Sequence, residues 1–161
     1  MATNGGASWF RRLFLRSSPE RLDPTRTDLV IVAESFDDAE SASSVLERAG
    51  SSGGWKSGEE TVFRHHLVLP ADTVEDAVST AAQDEYEQVQ TPSPQPRIPE
   101  TGYRMEVSNA VSLTLQRVQI IDALHCSQER SRMAGLAQRR GGTVSGWDAL
   151  QPESIAVDSA D

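Results

Sequence analysis

The chain predicts an α+β fold, an antiparallel sheet with helices packed on one of its faces. Three observations carry this. From His65 onward the segments run strand, helix, strand, strand, helix, strand; a further strand–helix pair precedes them; and the segments between the polar tracts amount to about 100 residues, enough for one two-layer domain. Residues 1–27, 50–60, 90–102 and 150–161 are rich in Gly, Ser, Pro and charge, in keeping with a hydrophobic share of 37%.

Each element has its own signal. Asp28-Leu29-Val30-Ile31-Val32-Ala33 is a short β-rich apolar run, read as a buried strand. Ser35 is the expected cap of a helix with Asp37, Asp38 and Glu40 near its positive end. Ala39, Ala42, Val45, Leu46 and Ala49 form its inner face, and Gly50 its end. Thr61 to Pro70 is the second strand, and Thr73 the expected cap of a helix reaching about Tyr86. These two units share identities at an offset of 38 residues, such as Leu29/Leu67 and Ala39/Ala77. Duplication is one reading, and shared strand–helix grammar the safer one.

Glu87 to Gln90 is read as a third strand. The run Thr91-Pro92-Ser93-Pro94-Gln95-Pro96-Arg97-Ile98-Pro99 then excludes a regular ladder or helix. Gly102 to Val107 alternates and is expected to be the next strand, followed by a long helix from about Ser112 to Arg140 whose middle, Cys126 to Arg132, faces solvent. Gly141-Gly142 closes that helix, Thr143 to Trp147 forms the last strand, and Pro152 to Asp161 is an acidic tail. The predicted arrangement is therefore a ferredoxin-like βαββαβ two-layer sandwich with an added N-terminal strand–helix unit. Its divisions are a basic, aromatic arm and linker (1–27), the added unit (28–60), the main domain (61–150) and the tail (151–161).

Charge narrows the function classes. The net charge is −9, but residues 1–27 carry Arg11, Arg12, Arg16, Arg21 and Arg26 against Glu20 and Asp23, so the remainder carries −12. Such a body repels a phosphate backbone, which disfavours direct nucleic-acid binding and suits a basic protein partner. The bland reading, charge for solubility, is at least as good. The lone Cys126 excludes an internal disulfide and points to a reducing, cytoplasmic setting. No apolar run approaches a membrane span, and arginines interrupt the stretch where a signal peptide needs an apolar core. In the arm, Trp9, Phe10, Leu13 and Phe14 share one helical face with Arg11, Arg12 and Arg16 largely off it. That segment can dock on the domain, bind a partner or lie at a membrane surface, so a peripheral membrane adaptor is the alternative function.

Catalytic chemistry finds little footing. His65 and His66 are strand neighbours pointing to opposite faces, so they do not share a metal; one is expected to be partly buried and the other exposed. His125 and Cys126 do not face each other on a helix, and Cys126 is expected at the surface. Gly53-Gly54 lacks the Lys-Ser/Thr of a phosphate loop. No catalytic residue, metal or cofactor is expected.

Two local signatures resemble the regulator of ribonuclease E activity B (RraB) family over roughly residues 62–150. One is His65-His66 entering a strand, followed by Asp72, Glu75, Asp76 and then Tyr86. The other is Leu136 to Trp147, with Gly141, Gly142, Gly146 and Trp147; Val144 and Ser145 stand where the family usually carries a tyrosine and an aspartate. The glycines and Trp147 have a structural explanation first, in helix ending and packing over the sheet. The resemblance implies a non-catalytic protein that binds an RNase E-type endoribonuclease and lowers or redirects its cleavage. The surface expected to make the contact comprises Asp72, Glu75, Asp76, Asp84 and, secondarily, Trp147.

Overall fold

A computed structural model describes residues 20–99 and 109–154. The basic arm, from Trp9 to Arg16, the strand expected at Gly102–Val107 and most of the acidic tail lie outside the described residues.

The described chain is α+β. Strands β1 (Leu29–Ser35), β2 (Glu60–Pro70), β3 (Glu87–Val89), β4 (Ala110–Ile120) and β5 (Thr143–Pro152) form one sheet, and the helices are α1 (Ala42–Ser51), α2 (Val74–Ala82) and α3 (Ala123–Gln138). The sheet order is β1-β5-β2-β4-β3, every pairing antiparallel. The N-terminal strand thus extends the same sheet. Each helix links two strands that run the same way with one strand between them, so the three crossovers interlock through β2.

All three helices lie on one face. There α1 contributes Ala42, Val45, Leu46 and Ala49 to a cluster with Phe63, Ile121, Cys126, Trp147 and Ala149. A second cluster joins Ala77 and Ala81 of α2 to Met133, Leu136 and Ala137 of α3 and to Leu67, Leu69, Leu113 and Leu115. Alternation along β2 sends its other residues to the open face, where Val62 and Leu150 pack with Leu29 and Leu22. Residues 20–27 are accordingly more than a linker: Leu22 joins that cluster and its N–H donates to Glu60 Oε2 at 2.5 Å.

Several expected boundaries move. Residues 112–120 are strand and not the first third of a long helix. Leu113 and Leu115 face the helices with Thr114 between them on the other face, and all of β4 pairs with β2, from Glu60↔Ile120 to Pro70↔Ala110. The helix begins only after Asp122, whose side chain accepts the His125 N–H at 2.8 Å. Ser35 ends β1; the cap of α1 is Ser41, accepting from Ser44 N–H at 3.2 Å. Asp37, Asp38 and Glu40 therefore sit in the preceding turn. The 38-residue offset pairs Ala39 of this turn with Ala77 inside α2, non-equivalent positions that favour shared grammar over duplication. Thr73 stands at the N-cap of α2 as expected, but its side chain makes no cap bond, its hydroxyl donating to Pro70 O at 2.8 Å.

Helix α2 stops at Ala82 without a glycine. Glu85 takes the left-handed conformation (φ 63°) and Tyr86 N–H returns to Ala81 O at 3.2 Å. Helix α3 ends by the same device with Gly141 (φ 70°) in that place and Gly142 N–H on Ala137 O at 2.9 Å. Gly142 is needed for a second reason, because a Cβ there would collide with Val68 O and Leu69. β5 then continues through residues expected to be unpacked: Leu150 and Gln151 are each 1% exposed.

Candidate functional site

Strand β2 sends His65 to the helix face and His66 to the open face, as alternation demands, yet both are buried, at 0% and 2% exposure. The expectation that one would be exposed fails because the open face is covered.

On that face Arg64 grips Asp148 with two parallel bonds, Nε to Oδ1 at 2.6 Å and Nη2 to Oδ2 at 2.8 Å. His66 Nε2 reaches the same carboxylate at 2.9 Å and its Nδ1 pairs with Thr114 Oγ1 at 3.0 Å. Phe36, turning over the end of β1, stacks on the His66 ring with centroids 6.0 Å apart. Burial would raise the Asp148 carboxyl, but the hydrogen bonds and charges of His66 and Arg64 outweigh it and hold the group below its ordinary range. Nothing local in the sequence signals this cluster. Arg64 and Asp148 are 84 positions apart, and only the β2–β5 register brings them opposite each other.

On the helix face Tyr86 OH donates to Glu129 at 2.6 Å and lies 3.4 Å from His65 Nε2. Arg117 closes the group, with Nη2 3.2 Å from Glu129 and its guanidinium 4.8 Å over the Tyr86 ring. Burial and Glu129 raise the Tyr86 hydroxyl. Glu129 and Cys126 are buried, correcting the expectation that the middle of this helix faces water. Burial pushes the Cys126 thiol up to about 12, far from a reactive thiolate.

Burial, helped by the neighbouring His66 charge, lowers His65 from 6.5 to about 3. A histidine kept neutral in the fold stabilises it fully above the unfolded-state value. That contribution is lost as pH falls from about 6.5 towards 3, with a slope of about 1.4 kcal/mol per pH unit. Chemical denaturation of the wild type and of His65→Asn between these limits should show the wild type losing its advantage with acid. Parallel curves would mean that His65 titrates alike in the folded and the unfolded chain.

The remaining residues of the two signatures separate by role. Trp147 is 1% exposed and meets Phe63 edge to face at 5.4 Å, the packing position expected first for it. Gly146 lets β5 pass beneath the end of β1, because a Cβ there would lie 2.5 Å from Ser35 O and collide with the Phe36 ring. Asp72, Glu75 and Asp76 are exposed around the start of α2. Asp76 pairs with Arg140 at 2.6 Å and the half-buried Asp84 with Arg132 at 2.8 Å, whereas Asp72 and Glu75 have no ion-pair partner among the described residues.

A cleft of about 430 Å³ opens between the β1–α1 turn and α3. Its guanidinium, Arg130, is spent on the carbonyls of Glu40 (2.8 Å) and Asp38 (3.4 Å), and the Glu40 carboxylate on Ser35 and Arg48. Among the described residues no three His, Cys, Asp or Glu side chains are placed to hold a metal ion, and no helix is long and apolar enough to cross a membrane.

The fold and its polar clusters define a class no finer than an α+β domain with one antiparallel sheet and buried ion networks on both of its faces. Comparison with protein-family models, curated proteins and solved structures finds no match to this chain.

Proposed function

We propose that the chain is a non-catalytic, RraB-like regulator that binds an RNase E-type endoribonuclease, or another RNA-processing protein, through an acidic surface. The observation that carries this reading is the exposed group Asp72, Glu75 and Asp76 at the start of α2, two of whose carboxylates are free of internal cations among the described residues. The β2-to-β5 order βαββαβ, with sheet order β5-β2-β4-β3, supports the ferredoxin-like arrangement that accompanies the resemblance. A basic partner segment is the complementary ligand, attracted over a range set by ionic strength.

The test is direct titration of a purified RNase E-type nuclease, by calorimetry, with the wild type and with Asp72→Lys/Glu75→Lys. Both positions are exposed at the start of α2, so the double variant should lose only about 1–2 kcal/mol of stability, from charges that now oppose the helix dipole, and stay folded while binding about tenfold more weakly at low salt. Equal affinity would remove this surface from the reading. No binding by the wild type would remove the nuclease.

A further inference from the structure

Among the described residues no helix lies on the open face of the sheet, yet Arg64, His66 and Asp148 there are no more than 2% exposed. Phe36 stacks on the His66 ring, and beside it runs the connection after β3. It leaves one edge of the sheet at Val89, opposite Thr114 and so in the row of His66. Arg97 then lies 3.5 Å from Glu34 on β1, the opposite edge, in the row Glu34–Asp148–Arg64. Eight residues reach at most about 26–29 Å, while crossing five strands at about 4.8 Å spacing takes about 19 Å. Pro92, Pro94 and Pro96 are half-buried while Thr91, Ser93, Gln95 and Arg97 are exposed, so alternate residues press downward.

We propose that residues 90–97 form a reversible strap: a self-ligand that closes the open face over Arg64, His66 and Asp148, and that a basic extended peptide of the same chemistry displaces. The prolines fix φ at three positions, which lowers the backbone entropy lost on closing. They donate no backbone hydrogen bonds, so the strap lies across the strands without joining the ladder. Among the described residues the far end is clasped by one ion pair, Arg97 being 80% and Glu34 25% exposed, the kind of contact that salt and competing cations loosen. The inference stands apart from the identity of the partner under the proposed function, because it concerns only what covers the face and what chemistry replaces it.

The two adjacent histidines make the test specific. Acylation by diethyl pyrocarbonate, resolved by tandem mass spectrometry, should modify the exposed His125 in the wild type and spare His65 and His66. Arg97→Glu places two carboxylates at the clasp, and His66 should then react about tenfold faster while His65, under the helices, stays protected. A synthetic peptide of residues 90–99, added in trans to that variant, should protect His66 again, and the same peptide with glutamate for its arginine should not. Unchanged His66 reactivity in Arg97→Glu would overturn the strap. Joint exposure of His65 and His66 would show unfolding in its place, and failure of the peptide to protect would overturn the self-ligand.

Discussion

Replacing Asp148 by asparagine should lower the free energy of unfolding by about 3–5 kcal/mol, read as a lower urea midpoint at unchanged slope. Asp148 is 0% exposed and answers both Arg64 and His66, so its neutral isostere keeps the volume but leaves the Arg64 charge buried without a counter-ion. Changing Arg64, His66 and Asp148 together to Met, Leu and Leu should cost much less, since buried ion clusters gain little over apolar residues of similar volume. Acid makes the same point. The Asp148 carboxyl titrates lower in the fold than in the unfolded chain, so its stabilisation is complete above about pH 4 and is lost as pH falls further. A loss below about 1 kcal/mol for the asparagine variant would mean that water reaches the cluster, and would weaken the case for the strap as well.

Trp147→Ala should cost about 3–5 kcal/mol, because it empties the centre of the cluster formed by Ala33, Phe63, Cys126 and the inner face of α1. Trp147→Phe should lose less, as it keeps most of the volume and an edge contact with Phe63. Thermal or urea unfolding of both variants separates a packing role from a partner-contact role. A variant that melts like the wild type but binds its partner poorly would move Trp147 from the core to the interface.

The strand–helix grammar was legible where local chemistry is strong. The apolar run at Leu29–Ala33, the strand ending at Pro70 and the Gly141-Gly142 stop all lie where their residue types require. Opposite faces for His65 and His66 followed from alternation alone. The stretch from Ser112 to Ile120 reads as helix in isolation because it runs into a true helical segment. Its alternation acquires meaning only when β2 supplies a full-length partner. Ser35 is likewise a plausible cap in isolation, but its residue pairs with Trp147 and extends β1.

What the sequence determined by itself was the α+β class, the approximate order of its elements and the sites where chain reversal needs glycine. These follow from side-chain periodicity and local backbone preference. Tertiary structure alone decided the burial of both histidines, the Arg64–Asp148 pair, the Tyr86–Glu129–Arg117 group and the course of the proline segment. Each depends on register between strands or on segments tens of residues apart. A charged residue reads as surface until the fold brings up its counter-ion and something to cover them both.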